Sequence, residues 1–387
     1  MLIELDIIDL TVGMYVIEII KPKKKFQLLE SGLIKNEKII NSLRNKGVQL
    51  LLIDPERYEV VVKTLPSEQD KAFFKEQISK AKSVFNESKN IQRKLFSDVE
   101  NGSPLDLSPV NHIINESIEL IFENPDALAC VLNLRHKDEY LLEHSVAVSV
   151  FITLFAFHLK IDKEIIKKLA VGAFLHDVGK IKVPTHILNK PAKLTSAEFD
   201  VMKTHVLHSI EILKITPGID PISLEIATLH HEQLCGNGYP HRLKEKDISL
   251  YGRMIAICDI FDALTSIRCY KKGMSQVKAF NVLRELGKKN HLDSHQVDQF
   301  IRCMGVYPVG AIVQLESNKL AIVESHNDQD PIRPKVTTFY SLGKKDFEAE
   351  ERIDLAINTA HKIVKCVRAD EFDLDMDQII EYLAHQG

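Results

Sequence analysis

Cysteine is scarce and unpatterned: six in 387 residues (Cys130, Cys235, Cys258, Cys269, Cys303, Cys366), with no CxxC pair. That excludes a disulfide framework and a zinc ribbon, and it fits reduced thiols in a cytoplasmic protein. Basic charge is not in excess either. The net charge is −4, so no global field draws in nucleic acid or an anionic membrane, and an anionic ligand must be held by local charges. The opening MLIELDIIDL carries early acids and no basic-then-apolar pattern, so it is not expected to be a signal peptide. The most apolar run, SVAVSVFITLFAF at 145–157, is too short for a bilayer and predicts a buried helix. There is no internal repeat and no low-complexity tract. What remains is ordinary globular composition, 45% hydrophobic and 27% charged.

Along the chain, residues 1–64 hold short alternating runs (TVGMYVIEI, VQLLLID, YEVVVKTL) and one helix, KNEKIINSLRNKG, closed by Gly47; they predict a small α+β domain. Lys23, Lys24 and Lys25 read as a solvated loop. Residues 65–107 predict a connecting helix and linker. Phe73, Phe74, Ile78, Ala81, Phe85, Leu95 and Phe96 line mainly one face of that helix, either packing on the chain's own domains or forming a relay or dimer surface. Residues 108–304 are helical in pattern. Residues 305–387 regain β character (YPVGAIVQL, KLAIVES, KVTTFYS), with helical patterns near 351–364 and 376–385. The fold class is therefore mainly α: a helical bundle between a small α+β domain and a β-containing extension.

Chemistry concentrates in the helical part. In AFLHDVGKIKVP, His176 and Asp177 close a helical run, and Lys180 follows three residues after Asp177, on the same face. Asp177 has two oxygens and can bridge two cations; Lys180 can hold a phosphate oxygen beside a metal. His144 opens the apolar helix, and His205 lies in a helix announced by a Thr195–Glu198 capping box. His230 and His231 close another helical run, and Asp259 sits among apolar residues in MIAICDIFDALTS. Unpaired, each of these groups is costly on an apolar helix. Together, imidazoles and carboxylates on facing helices suit iron, manganese, zinc or similar ions.

The order H…HD…H…HH…D, with HDVGK, HHE, GYP, VPTHILNKPAKLT and DALTSIRCYK across residues 108–305, resembles the HD-GYP family of cyclic-dinucleotide phosphodiesterases. Residues 1–60 resemble a small domain of unknown function found ahead of such domains, and MGVYPVGAIVQL resembles the β tail that follows them. The resemblance implies a centre of two divalent metals, iron before manganese or other transition metals. His144, His176, Asp177 and Asp259 would hold one; Asp177, as the bridge, with His205, His230 and His231 would hold the other. Lys180 would contact the scissile phosphate, Arg268 and Lys271 the ligand's phosphates or bases, and Gly238, Tyr239 and Pro240 would form a pocket wall. Tyr239 could stack on a base or pack within its loop.

Three departures from the family pattern stand out. Tyr140 occupies the place of a glutamate that holds a third metal in some members, while Glu139 and Glu143 lie on other helix faces, so two metals are expected. Cys235 replaces an acid, as loop packing or as a soft ligand. Cys269 follows Arg268 where proline is common.

The implied reaction is attack on phosphorus by a hydroxide between the metals, opening c-di-GMP or 3′3′-cGAMP to a linear dinucleotide and then, in some readings, mononucleotides. The alternatives are a cyclic-dinucleotide sensor with a homodimer or signalling protein as partner, another HD-type phosphohydrolase, or a di-iron oxygenase. No nucleic-acid polymer and no membrane insertion are expected.

Overall fold

The computed structural model describes residues 2–7, 10, 14–21, 32–34, 37–54, 68–132, 140–266, 273–325, 327, 330, 332–358, 360–374 and 379. Helices α1 (Glu37–Asn45), α2 (Glu68–Glu100), α3 (Leu107–Glu123), α4 (Pro125–Val131), α5 (Tyr140–His158), α6 (Lys163–Leu175), α7 (Thr185–Leu188), α8 (Ser196–Lys214), α9 (Pro221–Leu229), α10 (Leu250–Thr265), α11 (Gln276–Lys288) and α12 (Ser294–Met304) dominate it. The strands are β1 (Ile3–Asp6), β2 (Tyr15–Lys21), β3 (Gly32–Leu33), β4 (Leu50–Asp54), β5 (Ile312–Leu315), β6 (Lys319–Ser325), β7 (Lys335–Ser341), β8 (Asp346–Asp354) and β9 (Ile363–Val367). The chain is mainly α. It divides into two compact units, 1–70 and 71–387.

In the first unit, an antiparallel sheet of order β1-β4-β2-β3 encloses a small core with Ile40 of α1, including Val16, Leu51 and Ile53. Gly47, at φ +77°, ends the α1 turn in a conformation that favours glycine. YEVVVKTL and Lys23–Lys25 lie outside the described residues.

The second unit is built around α5. Its 19 residues pass the length and apolarity test for a membrane span over Leu141–His158, so the expectation that the run is too short was wrong about length. The expected burial is observed: 78% of that window is buried, because α3, α4, α6, α10 and α12 surround the helix. A helix apolar on every side needs such enclosure. Two of its buried hydroxyls find carbonyl partners: Ser149 Oγ donates to Ala170 O (2.8 Å) and Thr153 Oγ1 to Ser149 O (2.7 Å).

Along α2, Ala81, Phe85, Leu95, Phe96 and Val99 are buried in this same core. Phe85 and Phe96 therefore pack within the unit rather than offering a free relay or dimer face; the side chains of Phe73, Phe74 and Ile78 lie outside the description. Polar bonds fasten α2 as well. Gln92 Nε2 donates to Phe174 O, near the end of α6, and Lys182 Nζ donates to Val99 O at 3.0 Å.

The C-terminal strands form an antiparallel sheet of order β8-β7-β6-β5-β9 around its own apolar cluster, with Phe339 at the centre. Here one expectation fails. Residues 351–364 are not a helix: β8 runs to Asp354, paired with β7 in the register Val336↔Ile353, and β9 begins at Ile363. Of the 376–385 pattern, only Ile379 is described, and it is helical.

Close approach of backbones positions the HD turn. A Cβ on Gly179 would lie 2.2 Å from His205 O and 2.3 Å from Ser209 N, both backbone atoms of α8. Gly179 N also donates to Ser209 Oγ (2.9 Å). Gly179→Ala is therefore expected to destabilise the second unit by about 2 kcal/mol, lowering its Tm by roughly 5 °C in a thermal scan. Gly343→Ala has only Ser341 Oγ within 4 Å, at 3.9 Å, and is expected to stay within about 0.5 kcal/mol.

Candidate metal centre

The backbone first decides where the imidazoles go. The last carbonyls of a helix lack intrahelical partners, and the HD and HH pairs sit at such ends. His176 caps α6 and gives its Nδ1–H to Ala173 O (2.6 Å); His230 caps α9 and gives Nδ1–H to Ala227 O (2.8 Å). Within α8, His205 Nδ1 bonds Met202 O (2.7 Å). A carbonyl accepts only from N–H, so these three rings carry their proton on Nδ1. Each therefore turns the lone pair on Nε2 inward.

Those lone pairs converge on Asp177, which is fully buried. Its Oδ2 lies 3.3 Å from both His144 Nε2 and His176 Nε2; its Oδ1 lies 3.3 Å from His205 Nε2 and 3.9 Å from His230 Nε2. Asp259 closes the group, with Oδ1 3.1 Å from His144 Nε2 and Oδ2 3.3 Å from His231 Nδ1. Lys180 Nζ rests on Asp177 Oδ2. The structure thus brings His144, His176, Asp177, Lys180, His205, His230, His231 and Asp259 into one cluster, whose donors fall on the two sides of the Asp177 carboxylate.

Burial raises the pKa of Asp177, but Lys180 and His176 hold it well below the usual carboxylate range. Burial likewise opposes ionisation of Asp259, and the imidazoles of His144 and His231 bring it down strongly. Burial pushes His230 well below the usual imidazole range, helped by His231 and His176; burial and then His205 bring His231 to about 3, so both rings are neutral. His144 is different. Burial lowers it, yet Asp177, Asp259 and Asp262 outweigh that and raise it to about 10. The carboxylates demand positive charge, and a metal cation can supply what His144 otherwise holds as a proton.

The donor set fits metal binding. His176 Nε2 and Asp177 Oδ1 are buried with no hydrogen bond, an arrangement that costs free energy unless another partner is present. Three groupings place ligand atoms within 4.8 Å of one another: His205, His230 and His231; His144, His176 and Asp259; His176, Asp177 and His230. Borderline nitrogen and hard oxygen donors in this mixture suit iron, manganese or zinc.

Two contributors were missed in the sequence. Asp262, fully buried, binds His144 Nδ1 at 2.7 Å and receives Ser266 Oγ at 3.0 Å. Its only local signal is its place one helical turn after Asp259. Glu232 is the other. Its Oε1 accepts from the backbone N–H of His241 (2.7 Å) and Arg242 (3.1 Å), and its Oε2 accepts from Leu243 N (2.9 Å), folding the GYP loop back on the HH turn.

In that loop, Gly238 does not offer open space to a ligand. A Cβ there would meet Gln233 N at 2.4 Å and Glu232 Cα at 2.5 Å, so glycine is needed for close packing within the protein. Tyr239 sets its ring 4.6 Å from that of His231, while Pro240 follows it, half-buried. Cys235 packs in the loop: its thiol donates to Gln233 Oε1 (3.6 Å) and its backbone bridges Lys244.

Arg268 and Lys271 lie outside the described residues, as do Glu139 and Cys269; the side chain of Tyr140 is likewise not described. Both flanks of the Arg268–Lys271 segment are described. Met274 N donates to Leu264 O (2.8 Å), and Arg368, following β9, donates to Gly273 O.

Fold and site together define a helical domain that gathers histidines and aspartates into one buried cluster able to hold metal. A family model for the HD domain matches residues 130–295, and one for a domain of unknown function matches residues 2–110. A cyclic di-GMP phosphodiesterase of Pseudomonas aeruginosa is 32% identical over 280 residues, covering 72% of this chain and 67% of that protein. The 3′3′-cGAMP-specific phosphodiesterase 1 of Vibrio cholerae is 35% identical over 43% of this chain, which spans 38% of that relative's length. Among solved structures, an HD-GYP-type protein of Bdellovibrio bacteriovorus aligns with 78% of this chain and 98% of its own, with a TM-score of 0.50 at 17% identity, a likeness of fold. The chain belongs to the HD-GYP family of HD-domain phosphodiesterases, with the uncharacterised domain at its N-terminal end.

Removing Asp262 should weaken the centre without deleting a ligand. Asp262→Ala is expected to lower metal affinity about 10- to 100-fold, read by competition against a chromophoric chelator. Glu232→Gln should instead spare metal affinity. It sets an NH2 group against one backbone donor of the 241–243 turn, that of Leu243 if the amide oxygen keeps the place of Oε1, and limited proteolysis should cut that turn faster than in the wild type.

Proposed function

We propose that this chain is a metal-dependent phosphodiesterase that opens a cyclic dinucleotide, c-di-GMP or 3′3′-cGAMP, to a linear dinucleotide. The observation that carries the reading is the division of buried donors across the two oxygens of Asp177: His144 and His176 face Oδ2, His205 and His230 face Oδ1. Such a division fits two cations sharing one carboxylate. His144, His176, Asp177 and Asp259 would hold one, and Asp177, His205, His230 and His231 the other. The names of the relatives, phosphodiesterases of c-di-GMP and of 3′3′-cGAMP, support the substrate class.

When bound, a pair of divalent cations supplies activation of a water at neutral pH and charge neutralisation at phosphorus. The chain's own residues do the rest. The Nδ1 bonds to Ala173 O, Met202 O and Ala227 O hold three imidazoles in one tautomer and one orientation, so no reorganisation is needed during reaction. Lys180, 15% exposed at the edge of the cluster, is placed to reach a phosphate oxygen from its seat on Asp177 and to offset the growing negative charge. Burial of the cluster strengthens each of these charges. Arg268 and Lys271 are proposed to receive the second phosphate or the bases.

The test is anaerobic turnover of c-di-GMP, 3′3′-cGAMP and c-di-AMP by protein reconstituted with iron or manganese, products resolved by chromatography. One ring should be cleaved, and Asp177→Ala should lose about 100- to 1000-fold in turnover together with bound metal. No cleavage of any ring by protein carrying about two metals per chain would overturn the reading in favour of a sensor or another HD-type reaction.

A further inference from the structure

Phe199 lies in the first turn of α8, a position that its capping box already secures: Thr195 N donates to Glu198 Oε2 (2.7 Å) and Glu198 N to Thr195 Oγ1 (3.3 Å). Neither of these bonds uses the phenyl ring, and the residue is 47% exposed. Leaving an aromatic side chain half in water forgoes part of its burial, so its surroundings matter. Its ring centroid is 6.3 Å from that of Tyr239, with the planes at 83°. Tyr239 in turn lies 4.6 Å from the ring of His231 and 6.3 Å from that of His205. An aromatic path thus leads outward from the metal donors, from His231 through Tyr239 to Phe199. Lys203 Nζ lies 5.1 Å from the Phe199 centroid while pairing with Asp200 Oδ1 at 2.6 Å, which makes one side of the ring polar.

Two rings at right angles form a corner. A flat base lying on one ring meets the other edge to face, the arrangement aromatic pairs favour. A phosphodiester at the metal donors carries nucleosides on either side, and the path of rings leads from those donors to the corner. We propose that Phe199, with Tyr239 beside it, is a stacking subsite for one purine base of the cyclic dinucleotide. This rests on the function proposed above and adds a residue that neither the HD, HH and GYP motifs nor the donor cluster contains.

The experiment combines kinetics with a reporter. Phe199→Ala is expected to raise KM for the cleaved ring roughly 5- to 150-fold, the range for losing one base–aromatic stack, with kcat within about twofold and metal content unchanged; Phe199→Tyr should restore KM. The chain contains no tryptophan, so Phe199→Trp installs a single emitter at the corner. In stopped-flow mixing with the ring, its fluorescence should be quenched, saturably, before product appears. An unchanged KM in Phe199→Ala, a loss of kcat or metal in place of KM, or unaltered Phe199→Trp emission at saturating ring would overturn the subsite. Failure of the parent function reads differently: the wild type then cleaves no ring. In that case saturable quenching still establishes the subsite, now in a sensor, and its absence removes both ideas.

Discussion

Asp177 is shut off from the surface with imidazoles on both sides, and much of the helical unit is arranged to make that tolerable. A buried carboxylate is stable only where positive charge and hydrogen bonds replace its lost hydration. Lys180 and the neighbouring imidazoles provide part of this, and the raised pKa of His144 shows how strongly the surrounding carboxylates draw in a cation. Loss of any one partner from such a cluster would leave buried charge uncompensated. The helices that deliver these side chains must therefore be held firmly in place.

That fixing is done with ordinary parts. Helix ends expose carbonyls, and His176 and His230 use them to orient their rings. Gly179 lets the HD turn press against α8, while Gln92 and Lys182 pin α2 alongside. Asp262 stands behind His144 as backbone carbonyls stand behind His176, His205 and His230. Glu232 does for the GYP loop what a carboxylate does at a helix N-terminus: it collects successive backbone N–H groups. Supporting bonds of this kind outnumber the candidate ligands, which is why the geometry of the centre belongs to the whole bundle and not to its motifs.

The errors in reading the chain have physical causes. EAEERIDLAIN is rich in good helix formers, yet residues 346–354 are a strand because pairing with β7 completes a sheet that buries Ile353. The apolar run of α5 was judged by its purest 13 residues, whereas Leu141 and Leu142 extend the helix toward its start. At Gly238, expected in a pocket wall, the space a side chain would fill is taken by the protein's own backbone. In the strand, a local helix-forming pattern is overruled by pairing with a neighbouring strand.

What the sequence by itself determined is the inventory and its order: histidine and aspartate pairs at helix ends, a capping box before α8, glycines at turns, and a mainly helical chain between two smaller β-containing segments. These are legible because helix periodicity, capping and motif spacing act over a few residues. Only the tertiary structure decided which oxygen of Asp177 faces which rings, that Asp262 backs His144 across 118 residues of chain, that Glu232 ties down the loop, and that Phe199 stands beside Tyr239. Those relations depend on how α5, α6, α8, α9 and α10 pack, and packing is set by side-chain volumes summed over the whole core, which no short stretch of sequence contains.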